Sequence, residues 1–239
     1  MSPTAPSFDE WLTYCFEQGH ADATAGFPED DREKELYLQR RERFLHFDKE
    51  VVSDYVERLF LKPGDLVERY PDGTLAEGIR FLFGTSSGIL WDALDELAVK
   101  EPRHIAVMRS LGSFYTGFLD RVCNGRGDSP DRDMVGDAPV DAAVHGIWEM
   151  GCIEVPLLAP ERYPNVAVPC LEMLEHALRS CRTATCKGSI LLALGHAQVL
   201  HGPEVQMIID RYLKRSSEPD HLVRMAHQAR VGHVQPIGS

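Results

Sequence analysis

A chain of 239 residues with net charge −12, 44% hydrophobic and 26% charged residues carries enough apolar material for a real core. The acid surplus argues against nucleic acid as a partner, because neutralising phosphates needs a basic face, and Arg40, Arg41 and Arg43 are interleaved with Glu42. No stretch nears the roughly 20 apolar residues that span a bilayer, and no basic segment followed by an apolar run opens the chain, so a cytoplasmic protein without a membrane partner is expected.

Ser7 with Glu10 reads as a capping box, each side chain satisfying a backbone donor of the first turn. Phe8, Trp11, Leu12, Cys15 and Phe16 follow as a helical stripe that stops near Gly19. Residues 20–30 are small, polar and acidic and read as a loop. Asp31 to Phe47 is highly charged, with Leu36, Tyr37, Arg40 and Phe44 on one side, the pattern of an exposed helix over the core. Asp48 caps the next helix, whose stripe is Val51, Val52, Tyr55, Val56, Leu59 and Phe60 and whose end is Pro63-Gly64. Leu66, Val67 and Tyr70 predict a short turn. Thr74 with Glu77 reads as a second capping box leading into Leu75, Ile79, Leu82 and Phe83. After the break at Gly84 to Gly88, Leu90, Ala93, Leu94 and Leu97 predict another helix.

Pro102 opens the longest predicted helix. Its apolar positions, Ile105, Met108, Leu111, Tyr115, Phe118, Leu119 and Val122, keep the period over about six turns, roughly 30 Å. Gly112 and Gly117 weaken it but let neighbouring helices approach closely. Residues 124–138 hold almost no apolar side chains and read as a flexible loop. That loop separates an N-terminal helical region, 1–123, from a C-terminal helical-hairpin region, 139–239, packed on it as one continuous unit. Val140, Ala143, Val144, Ile147 and Trp148 resume helical spacing, and the proline-bearing stretch from Val155 to Val168 reads as irregular.

The last third carries four stripes: Leu171, Leu174, Ala177 and Leu178; Ile190, Leu191, Leu194 and Ala197; Val205, Ile208, Ile209, Tyr212 and Leu213; Leu222, Val223, Ala226 and Ala229. Pro169, Pro203 and Pro219 stand where first helical turns tolerate proline. Short helices in succession cannot each bury a stripe alone, so they must stack. No region alternates at period two. The fold class is therefore all-α, about ten helices as stacked antiparallel hairpins in an α-α superhelix.

Two motifs carry a resemblance. Ala184 onward reads A-T-C-K-G-S-I-L-L-A-L-G-H-A-Q, followed by G-P-E-V-Q-M-I-I-D-R-Y-L up to Leu213. This pair resembles the end of an uncharacterised bacterial all-helical family, in which an A-L-H-G-L-G-H-like helix precedes an I-I-D-x-F-L-like one. Ala76–Phe83, Pro102–Tyr115 and Phe118–Cys123 are similar to its middle, so the likeness covers roughly Asp48 to Gly232. It implies an all-helical fold and no particular reaction. Leu192 and Ala197 depart from the family pattern. The helix pairs also resemble HEAT-type repeats, with at most two units of about 40–47 residues and no strict repeat.

For chemistry, His196 and His201 near Cys181 and Cys186 offer zinc-type ligands, but side chains five apart on a helix point about 140° away from each other. No metal or cofactor is expected. The six cysteines form no C-x-x-C and read as small buried hydrophobes, kept reduced. His145 and Glu149, one turn apart with Glu154 nearby, and separately His196, are the acid–base candidates, against the commoner reading of helix-surface pairs. Glu172, Glu175 and His176 allow the same argument. Arg126-Gly127-Asp128 reads as a chance triplet in the loop. Trp11 and Trp148 lie on apolar stripes, whereas Trp91 falls off its stripe beside Asp92, Asp95 and Glu96, the candidate binding residues. Acidic balance, stacked helices and the lack of a catalytic motif together favour a non-enzymatic protein-binding role. The expected partner is another protein, a basic one, met in an immunity-type or adaptor fashion. The alternatives are an enzyme with a helical His/Glu active site and a self-associating structural subunit.

Overall fold

A computed structural model describes residues 4–24, 27–123, 138–150, 152–215 and 218–233. Among the described residues the regular structure is helical throughout, with no strand. The N-terminal elements are α1 (Phe8–Glu17), α2 (Gly19–Thr24), α3 (Asp31–Leu45), α4 (Lys49–Leu61), α5 (Leu66–Arg69), α6 (Asp72–Phe83) and α7 (Ile89–Ala93). Next, α8 (Glu101–Phe114) runs without a break through a π turn (Tyr115–Leu119) into α9 (Asp120–Val122). The C-terminal elements are α10 (Pro139–His145) with a 3-10 turn (Gly146–Trp148), α11 (Val155–Leu158), α12 (Ala167–Ser180), α13 (Ala184–Arg215) and α14 (Asp220–Arg230).

The Ser7–Glu10 capping box forms, and Asp48 caps α4 through the amides of Glu50 and Val51. The four C-terminal stripes turn inward as expected, with Leu174, Ile190, Ile209 and Ala226 fully buried. One contiguous core runs from Phe8 to Ala229. Hairpin neighbours α12–α13 and α13–α14 pack together, while α4–α8, α6–α10 and α8–α12 join elements far apart in the chain.

Several expectations need correction. The 20–30 loop begins with α2, which docks on α6; Gly19 lies so close to Phe81 that a Cβ there would sit 2.3 Å from its ring. Thr74 does not cap α6, because Pro71, held extended at φ −69°, starts that helix at Asp72. The run containing Leu97 stops at Ala93. Asp95 Oδ1 accepts from the Leu97 and Ala98 amides and turns the chain there, leaving Leu97 92% exposed. The Val155–Val168 stretch holds the short α11. α13 is two helices joined at a kink, His201 (φ −128°), two residues before Pro203, so the rod opened by Pro102, Glu101 to Val122, is the longest uninterrupted helical run among the described residues. Residues 124–137, with the Arg-Gly-Asp triplet, lie outside the described residues, and Ala138 is buried.

The π turn is the feature no stripe revealed. It accommodates one extra residue, which rotates the downstream side chains by about 100° relative to uninterrupted α-helix. Asp120 thereby faces inward, buried despite its charge. Gly112, just before the turn, does permit close approach: a Cβ there would meet Met173 Cγ of α12 at 2.9 Å, whereas Gly117 faces open space.

At the first residue of the π turn a buried hydrogen-bond relay joins three elements. Trp148 Nε1 donates to Tyr115 Oη at 2.8 Å, Tyr115 Oη to Ser189 Oγ at 2.9 Å, and Ser189 Oγ to the Val144 carbonyl at 2.8 Å. Tyr115→Phe keeps the ring and orphans the buried Trp148 N–H. The expected loss is about 2 kcal/mol, read as a Tm lower by roughly 4–8 °C in thermal unfolding followed by circular dichroism. An unchanged Tm would show the relay to be dispensable.

Candidate functional site

The acid–base candidates separate. His145 ends α10 and is buried against Gly188 and Met225; among the described residues its Nδ1 has no hydrogen-bond partner. Glu149 is exposed beyond the 3-10 turn, whose tighter winding breaks the one-turn relation on which the pair depended. Glu154 instead meets His196, with Oε2 2.7 Å from Nδ1. An ionised carboxylate only accepts, so this bond places the proton on Nδ1 and fixes the ring. His201 Nε2 bonds the Leu157 carbonyl at 2.9 Å. The two histidines thus fasten the α11 segment to α13, one on either side of the shared turn. Glu175 accepts from Arg211 at 2.9 Å.

Trp91 is 44% exposed, while Trp11 and Trp148 are buried in the core. The acids around Trp91 are engaged within the chain. Lys49 Nζ lies 2.9 Å from Asp92 and 2.6 Å from Asp95. Glu96 pairs with Arg162 and accepts from Tyr163 Oη at 3.1 Å. The Lys49 bond holds the Asp95 carboxyl below the usual range, and the Arg162 bond does the same for Glu96.

All six cysteines are free and buried. Cys181 and Cys186 do come together, but not with the histidines. Their partners are Asp120 and Cys123, at the far end of the α8–α9 rod. The ligand atoms of Asp120, Cys181 and Cys186 lie within 4.8 Å of one another. Asp120 Oδ1 accepts from the Arg182 amide (2.9 Å), the Thr183 amide (2.7 Å) and the Thr183 hydroxyl (2.8 Å), tying the entry of α13 to α9. Burial pushes the Asp120 carboxyl up, and the Thr183 and Arg182 donors outweigh it, so it titrates below its ordinary value. The influence of Cys123 first, then of Cys181, holds the Cys186 thiol below its ordinary value against burial, and Cys186 in turn pushes both of theirs up. Asp120 and Cys123 carry no sequence signal, since they are some sixty residues from their partners.

Two roomy clefts, about 560 and 580 Å³, flank α3. Apart from Asp9, the charges of the second are committed: Glu10 to Arg43, Arg69 to Glu17 at 3.2 Å, Arg40 to Asp22 at 2.8 Å. A narrower groove of about 130 Å³ lies between α12 and the second half of α13. Val168, Leu171, Met207 and Ile208 line its apolar part, and Glu172 and Glu204 stand at its edge. Among the described residues neither glutamate has a charged partner.

No protein-family model, curated protein or solved structure matches the chain. The sites therefore rest on their own geometry.

Burial alone pushes His145 down from 6.5 to about 4. Between those values the unfolded chain takes up a proton that the folded one refuses. Stability is therefore expected to fall as pH drops from about 6.5 to about 4, by about 3 kcal/mol from this group. His145→Leu removes that component, which urea titrations of both proteins across this range would read as a flatter pH profile for the variant.

Proposed function

We propose that the protein is a non-enzymatic binding protein for another, basic protein, with the groove between α12 and α13 as the contact. The observation that carries this reading is an apolar floor rimmed by uncommitted acid. Val168 and Met207 are 60% and 51% exposed, beside Glu172 and Glu204. Desolvating such a floor supplies affinity, and methionine adapts to the surface it meets. The carboxylates, on a chain of net charge −12, steer a cationic partner and set its register. The matching partner element is an amphipathic helix with basic flanks laid along the groove. An immunity-type or adaptor role is the concrete form of this function. The Trp91 face supports it less, because Lys49 and Arg162 already occupy the neighbouring acids.

A second reading, acid–base catalysis, draws on the His196–Glu154 bond, which orients an imidazole whose side chain is 27% exposed. That bond also has a plain structural role in holding α11, and the groove is therefore the favoured site.

A synthetic lysine- and leucine-patterned helical peptide tests the groove. Binding followed by fluorescence anisotropy is expected to weaken with added salt. Affinity is expected to drop at least about tenfold in the Glu172→Lys, Glu204→Lys double variant, as for two like charges brought opposite a cationic ligand. Met207→Lys, on the floor, acts in the same direction. An affinity indifferent to all three substitutions would remove the groove as the contact.

A further inference from the structure

We propose that Asp120, Cys181 and Cys186 form a binding site for a thiophilic divalent ion, zinc(II). The donor set is two sulfurs and one carboxylate oxygen, ligand types that tetrahedral zinc takes. It is assembled from two distant segments, the end of α9 and the turn from α12 into α13. Around a tetrahedral zinc ion neighbouring donors stand roughly 3.5–3.8 Å apart. Asp120, Cys181 and Cys186 already present theirs within 4.8 Å of one another, so small side-chain rotations close the site. Three protein ligands leave the fourth tetrahedral position to water.

The carboxylate shows a division of labour. Oδ1 takes the three short bonds from Arg182 and Thr183. Oδ2 has only the Arg182 Nε contact at 3.4 Å, from a side chain 86% exposed and able to swing into solvent. Capping α13 requires one oxygen, and the other is available to an ion. The bonds to Oδ1 then act as the outer shell that orients a ligating carboxylate. The N-terminus of α13 and Arg182 offset the negative charge that remains once two thiolates and a carboxylate meet a dication.

The ordinary use of buried cysteine is visible elsewhere in this protein. Cys15 and Cys170 lie in apolar packing, where burial is the dominant influence on each thiol and no acid faces it. Two cysteines gathered around one buried carboxylate are a different arrangement, and hydrophobic packing gives no reason for it.

The full-length protein, stripped with chelator and titrated with cobalt(II), tests the site. One equivalent is expected to bind, with thiolate-to-cobalt charge transfer, the intense visible bands of tetrahedral cobalt, and stoichiometric displacement by zinc(II). Asp120→Asn keeps a capping oxygen and so the fold, and is expected to weaken binding about tenfold or more. Cys181→Ala and Cys186→Ala act in the same direction, while Cys170→Ala leaves the spectrum unchanged. Absence of the charge-transfer band in the wild-type protein would overturn the proposal, as would equal uptake by wild type and Asp120→Asn. The wild-type spectrum decides even if a cysteine variant fails to fold.

Discussion

The buried relay from Trp148 through Tyr115 and Ser189 to the Val144 carbonyl is the constraint around which the other helices are arranged. It lies where the α8 rod, the α10 segment and α13 meet, and each of its donors has one acceptor. In a low-dielectric interior a fully satisfied network fixes the relative register of the elements it joins, because any slip leaves a polar group unpaired. Apolar packing alone tolerates such slips far better. With these three elements held, α6 packs on α10 from one side and α12 on α8 from the other. The relay passes through the first residue of the π turn, and the same turn directs Asp120, downstream of it, toward the entry of α13.

Charge in this protein serves two ends. Many carboxylates join helices: Lys49 to Asp92 and Asp95, Arg103 to Asp54 and Glu57, Arg230 to Asp210, Lys187 to Glu218. The exposed ones among these pairs contribute little to stability individually, up to about 1 kcal/mol, whereas Lys187–Glu218 is largely buried. Their effect on function is to remove acid from the surface potential at those places. The Trp91 region is quiet for this reason despite its three acids. Glu172 and Glu204, beside exposed apolar side chains, keep their charge available to a partner. Net charge therefore describes the chain as a whole, while the distribution of basic partners decides where that charge acts.

Periodicity located the C-terminal helices well because each has its own buried stripe. Leu174, Ile190 and Ala226 sit at the centres of those stripes and are fully buried. The capping box at Ser7 was legible for a related reason, since both of its members lie within one turn. Misreadings fall where a distant residue competes with local pattern. Gly19 to Thr24 is helical because it docks on α6, with Asp22 held by Arg40 and Tyr14. Thr74 has the residue type for a cap and is overruled by Pro71. Leu97 continues a helical spacing that Asp95 has already ended. His145 and Glu149 share a spacing, but the 3-10 turn between them makes it irrelevant.

The amino-acid sequence by itself determined that the chain is helical, where most of its helices run and which faces they bury, because those properties depend on residues three or four apart. The tertiary structure alone decided which polar groups distant in the chain meet. Asp120 with Cys181 and Cys186, Glu154 with His196, and Trp148 with Tyr115 and Ser189 are brought together by packing over separations of 33 to 74 residues in the hydrogen-bonded cases, or by the turn from α12 into α13 in the other. Hydrophobic burial is non-directional and leaves its mark as a period, whereas a hydrogen bond or a ligand contact is set by the relative phase of two helices and leaves none.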